Sequence, residues 1–300
     1  MKKFIAVLLT GAMTFSLVAC GSSAQTESQN TEAEAATEET AEETATEETT
    51  EDTAEAADTE AEQADAEAEQ ADAAEAETED AAADAKSEGV MTYEEYVAAE
   101  LDTEVVVETY VQAKQSWWEE EGQGKATFYT QDQDGAYFIY NMPCTQEDYD
   151  KLTVGTKIKV TGYKSEWSGE VEITDATYEI EDGNFVAEAL DVTDKLGSDD
   201  LINYQNQFVT FKGMTVEDSG DGAAYLYGWD GSGSDGDDLY FKVSSNGETY
   251  SFTVESYLCD KTTDVYNAVK NLKVGDTVDM EGFLYWYEGV NPHITAVTVK

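Results

Sequence analysis

No arginine occurs among the 300 residues of this chain, and His293 is its one histidine. Without arginine, a phosphoryl-transfer site would lack the usual clamp on developing negative charge. With one histidine, any serine or cysteine nucleophile would have to take His293 as its base. Basic charge is scarce throughout: 16 lysines stand against 66 acidic residues, for a net charge of −50. Such a surface repels phosphate backbones, which proteins hold through Lys and Arg with release of counterions, so no nucleic-acid partner is expected. Carboxylates are plentiful, but nothing marks two of them as an acid and base across a cleft. The expectation is a protein that binds and does not catalyse, with no catalytic residues, no cofactor and no metal.

Residues 24–90 lack still more. They contain no aromatic, Leu or Ile residue, and 25 acidic residues face the single Lys86. There is nothing to bury against the entropy of ordering, so the segment is expected to be a disordered acidic tether. A seven-residue repeat, AEQADAE from Ala61 and AEQADAA from Ala68, offers only Ala as an apolar residue and makes a poor coiled-coil seam. Coil statistics give such a tether an end-to-end distance of roughly 45 Å.

Ahead of it, Lys2 and Lys3 precede the apolar run Phe4 to Ala19, which closes in Leu17-Val18-Ala19-Cys20-Gly21. This pattern resembles the lipobox of bacterial lipoproteins, with a charged start, an apolar stretch and small residues before a cysteine. The 16 residues of the run fall short of the roughly 20 that span a bilayer. The resemblance implies that residues 1–19 are a signal peptide. Lipidated Cys20 would then hold the protein on the outer face of the cell membrane.

Residues 91–300 carry all five tryptophans, and their 41 acidic residues and 13 lysines give a net charge of −28. An internal repeat organises them. Gly155 and Gly162 in VGTKIKVTGY return as Gly275 and Gly282 in VGDTVDMEGF, Ile173 answers Ile294, and Cys144 answers Cys259. In the first copy, Thr92-Tyr93-Glu94-Glu95 fits a capping box. Strands are expected at 104–113, 126–131, 136–141, 156–164 and 170–179, with a helix over 145–152 and an Asp134-Gly135 turn in the hairpin. The second copy repeats the order with strands at 207–216, 223–229, a hairpin through Asn246-Gly247, a helix near 262–271, and strands at 277–287 and 294–299.

Five strands with a helix between the third and fourth is the order of an OB-fold barrel. The strings ATFYTQDQDGAYFIYN and VGTKIKVTGYKSEWSGEVEI resemble OB-fold modules of the anticodon-binding type, appended to exported bacterial nucleases and lipoproteins. The expected fold is all-β: two tandem five-stranded OB-fold barrels, at 91–182 and 183–300, following the tether at 20–90. On that scaffold a ligand lies across strands two and three, between the loops that join strands one to two and four to five. Trp117 and Trp118 fall in the first loop, Trp167 in the second, and Tyr129 and Tyr137 on the strands. These five are the candidate ligand-binding residues; Tyr140 shares the strands, and Trp229 with Tyr285-Trp286-Tyr287 are the second copy's equivalents. The tryptophans either stack on a ligand or pack against each other at the barrel end.

The partner expected first is a neutral polymer such as a glycan, and the alternative is a protein that uses the chain as a scaffold. The oxygen-rich loop at Asp230, with Asp235, Asp237 and Asp238, departs from a calcium loop by having Asp235 where Gly is needed. Cys144 and Cys259 are expected to be buried thiols, and His293 a surface strand residue.

Overall fold

The computed structural model describes residues Lys86–Lys300. Cys20, the signal segment and nearly all of the acidic tether lie outside the described residues. Among those described, no helix is long and apolar enough to cross a membrane.

Thr92 opens α1 (Tyr93–Ala98) with the expected capping box: the Glu95 N–H donates to Thr92 Oγ1 at 3.2 Å, and the Thr92 N–H donates to Glu95 Oε2 at 2.9 Å. Lys164 Nζ closes the other end by donating to the carbonyls of Tyr96, Val97 and Ala99 at 2.8–3.0 Å, which satisfies acceptors a helix terminus leaves open. The strands that follow are β1 (Glu104–Lys114), β2 (Trp118–Glu120), β3 (Gln123–Gln131) and β4 (Ala136–Pro143). Then come α2 (Gln146–Lys151), β5 (Thr156–Trp167) and β6 (Glu170–Asn184). The sheet runs β1-β5-β6-β4-β3-β2, and β1 also pairs with β3, so five strands close into a barrel of OB order. Val107, Val111, Phe128, Tyr137, Ile139, Ile158 and Ile173 fill it, and Tyr96 of α1 joins them.

The short β7 (Leu190–Asp191) leads to β8 (Phe208–Glu217), β9 (Tyr225–Tyr227), β10 (Leu239–Ser245), β11 (Glu248–Val254), α3 (Asp264–Lys270), β12 (Thr277–Phe283) and β13 (His293–Val299). Their sheet runs β7-β8-β12-β13-β11-β10-β9, and β8 pairs with β10, repeating the order of the first sheet. The second ring strand is therefore β10, not 223–229 as the sequence suggests. That segment forms only the edge strand β9 on β10, as β2 does on β3.

The repeated glycines have one cause. A Cβ on Gly162 would lie 2.6 Å from Ile173 Cγ2, and one on Gly282 would lie 2.2 Å from the His293 carbonyl, so both strands need bare backbone where they cross the last strand. Asn246 and Gly247 have φ of 55° and 88°, as a two-residue hairpin turn requires. The other hairpin differs from expectation. Asp132 Oδ1 accepts from the Asp134 and Gly135 N–H groups at 2.8 Å, and Gly135 is needed because the Tyr93 ring packs onto it.

Candidate functional site

Strands β3 and β4 are apolar on both faces, and this positions the site. One face, with Phe128 and Tyr137, looks into the barrel. The other, with Tyr129 and Phe138, meets rings at and just after the end of β12: Tyr129 stands 4.7 Å from Phe283 and Phe138 stands 5.4 Å from Tyr285, centroid to centroid. Tyr129 and Tyr137 are fully buried. They cannot offer a ring face to a ligand, which corrects the sequence-based choice of both. Tyr137 is core, packed 4.9 Å from Tyr96, and Tyr129 belongs to the joint between the two sheets.

His293 is also in this joint and not on the surface. It is buried, stacks on Tyr285 at 4.2 Å, and shares a 2.6 Å hydrogen bond between its Nδ1 and the Tyr129 hydroxyl. The Gln115 amide donates to Glu255 Oε2 at 3.1 Å. Burial pushes the His293 pKa down to about 3, so it is neutral. The joint is further tied by the Ser116 N–H to the Tyr257 carbonyl at 2.8 Å and the Phe208 N–H to Gln131 Oε1 at 2.8 Å.

Beside the joint opens a cleft of about 1270 Å³. Trp118, Tyr140 and Trp167 line it from the first barrel, and Trp229, Tyr257 and Tyr287 from the opposite side. Trp118 is 39% exposed, Trp167 56% and Trp229 77%; Trp167 stands 5.2 Å from Tyr287. Trp118, the first residue of β2, and Trp167, the last of β5, thus line one cleft. Trp117 turns inward instead. Its indole N–H donates to the Cys144 carbonyl at 3.1 Å, and its ring covers Gly124. Alternation likewise takes Trp286 out of the cleft and against the second core.

Glu172, Glu255 and His293 lie among these rings. Glu255 is well partnered, accepting from the Tyr257 and Leu258 N–H groups as well as from Gln115; burial, with Asp238 adding, pushes its pKa up to about 7. Glu172 is 7% exposed and has no hydrogen-bond partner among the described residues; burial alone pushes it up to about 7. One turn of the pleat away, Glu170 accepts from the Trp286 N–H at 2.9 Å, and burial pushes it well above the carboxylate range. Sequence reasoning missed Glu172, Glu255 and His293 as cleft residues. A legible signal existed: the Ile173–Ile294 alignment makes Glu172 and His293 equivalent, each at the point where the last strand pairs in parallel with the third.

Cys144 and Cys259 are free and buried, and burial pushes their pKa values up to about 11 and about 12. In the Asp230 loop, Asp235 pairs with Lys270 at 2.6 Å and Asp237 accepts from the Ser234 N–H at 2.8 Å. Among the described residues no group of three or more His, Cys, Asp or Glu is placed to hold a metal ion.

No family model matches the sequence, and no curated protein does. Solved structures that resemble it include a murine DNA-binding protein bound with double-stranded DNA, with TM-score 0.33 and 12% identity over 65% of this chain and 94% of that one. Another is the Ifi202 HINa domain in complex with 20-bp double-stranded DNA (0.29, 14%, 67% and 96%). A third is a Replication Protein A heterotrimer bound to single-stranded DNA (0.30, 13%, 67% and 49%). At these scores the likeness names no contact in this chain. It does overturn two expectations, the preference for a glycan and the exclusion of nucleic acid. Net charge describes the whole surface, whereas rings hold bases by their faces without any charge of their own.

Proposed function

We propose that the chain is a non-catalytic binding protein whose ligands are nucleobases, presented by short single-stranded nucleic acid or by free nucleosides. Its folded part is read as two tandem OB-type barrels, carried on the acidic tether from a lipid-anchored Cys20 at the outer face of the membrane. The observation that carries the reading is the cleft itself. Exposed Trp118, Trp167 and Trp229 with Tyr140 and Tyr287 surround one space, which opens beside the joint along β4, one of the two strands across which OB-type barrels take their ligands. Bases stack on such rings whatever their sequence, while the phosphates stay in solvent, away from a surface that would repel them. The Lys125 ammonium lies 5.1 Å from the Trp118 ring, at the edge of that platform.

Titration of the full chain with a single-stranded DNA hexamer and with nucleosides should quench tryptophan fluorescence. Trp118→Ala and Trp167→Ala should each weaken binding by about 1–3 kcal/mol per lost stacking contact. Absence of quenching by any base-bearing ligand, or equal affinities for both variants and the parent, would contradict the proposal.

A further inference from the structure

Glu172 is the buried carboxyl of the cleft that no hydrogen bond among the described residues engages. It sits on β6 between Phe138 of β4 and Ser165 of β5, 93% removed from solvent and lining the aromatic cleft. Its equivalent in the second sheet, His293, is held by Tyr129, its neighbour Glu170 by the Trp286 N–H, and Glu255 by three donors. Among these buried groups Glu172 alone has no donor and no counter-charge among the described residues. A carboxylate buried without partners is unfavourable, and an incoming group that supplies N–H donors to both oxygens relieves this and gains two charge-assisted bonds.

Resting on the nucleobase reading, we propose that Glu172 selects among bases by taking two parallel N–H donors from one planar edge, the pattern guanine presents at N1 and N2. The other bases fit it poorly. Cytosine and adenine set a ring-nitrogen lone pair beside their amino group, and uracil sets a single N–H between two carbonyls. Each puts a lone pair against an ionised carboxylate, which can only accept. The surrounding rings hold the base plane and the carboxylate reads its edge, so affinity and selectivity come from different residues. The groups that share Glu172's electrostatics are Glu170 on its own strand, Tyr285 across the joint and Tyr96 from α1; none of them is a cation.

The test compares guanosine with inosine, which differs only in lacking the N2 amino group, on the full chain at about pH 8, above the titration of Glu172. Guanosine should bind at least about tenfold more tightly, the scale of one hydrogen bond to a charged acceptor. Glu172→Gln keeps the shape but leaves one acceptor atom, and should bring the two affinities within about twofold while inosine binding persists. Equal affinities in the parent chain, or a preference that survives Glu172→Gln, would overturn the assignment of Glu172 and leave the nucleobase cleft standing. Failure of every nucleoside and of the DNA hexamer to bind would overturn both. The guanosine–inosine comparison in the parent chain needs no variant and so does not depend on how Glu172→Gln folds.

Discussion

Trp117 and Trp118 are adjacent in sequence and opposite in consequence. Edge strand β2 begins at Trp118, so successive side chains point to opposite faces: one indole seals Gly124 and bonds Cys144, the other faces the cleft. Trp117→Ala should therefore lower stability by about 3 kcal/mol, toward the usual loss for a packed Trp. Trp118→Ala should change it by less than about 1 kcal/mol, as exposed substitutions do. Urea melts of the two variants check this, and similar losses in both would mean that Trp118 is also structural. Sequence alone left platform and packing open for these residues because both use the same side chain; only the register of β2 separates them. Tyr129 was misjudged for a related reason. A tyrosine on the outer face of β3 looks like a surface ring until a second body is seen to cover it.

At the scale of elements, the order of strands in the first sheet was legible and the joint was not. Gly162 and Gly282, the helix caps and the alternating strands fixed the barrel because each follows from local sterics or hydrogen bonding. The joint depends on what covers the outer faces of β3 and β4. The run Ala136–Tyr140 is apolar without alternation, as a strand buried on both faces is, but such a run does not say what covers the second face.

Strand β6 and the turn after β11 also make the joint sensitive to pH. Glu172 and Glu255 are raised from 4.5 to about 7, and Glu170 is also raised well above 4.5. The folded state keeps these protons when the unfolded chain has lost them. Their contribution is full below about pH 4.5 and is lost as pH rises toward 7. His293, lowered from 6.5 to about 3, acts in reverse: its contribution is full above about pH 6.5 and is lost as pH falls toward 3. Three carboxyls against one imidazole predict a higher melting temperature near pH 5.5 than near pH 8, with a smaller difference in Glu255→Gln. A melting temperature that climbs between those pH values would show that these carboxyls are ionised in the folded protein.

For the whole molecule, charge is the dominant constraint. With a net charge of −50 and no arginine, the chain cannot hold nucleic acid by neutralising phosphates, and the account requires rings to do it alone. That requirement reverses a familiar dependence. Proteins that bind phosphates release counterions and lose affinity steeply as salt rises; here added salt screens repulsion and leaves stacking intact. The deciding measurement is the dissociation constant of the single-stranded DNA hexamer for the full chain, followed from about 50 mM to about 500 mM sodium chloride, a range over which the Debye length falls from about 14 Å to about 4 Å. Affinity that strengthens several-fold over that range is the predicted result. Affinity that falls log-linearly with salt, or no binding at either limit, would contradict the account.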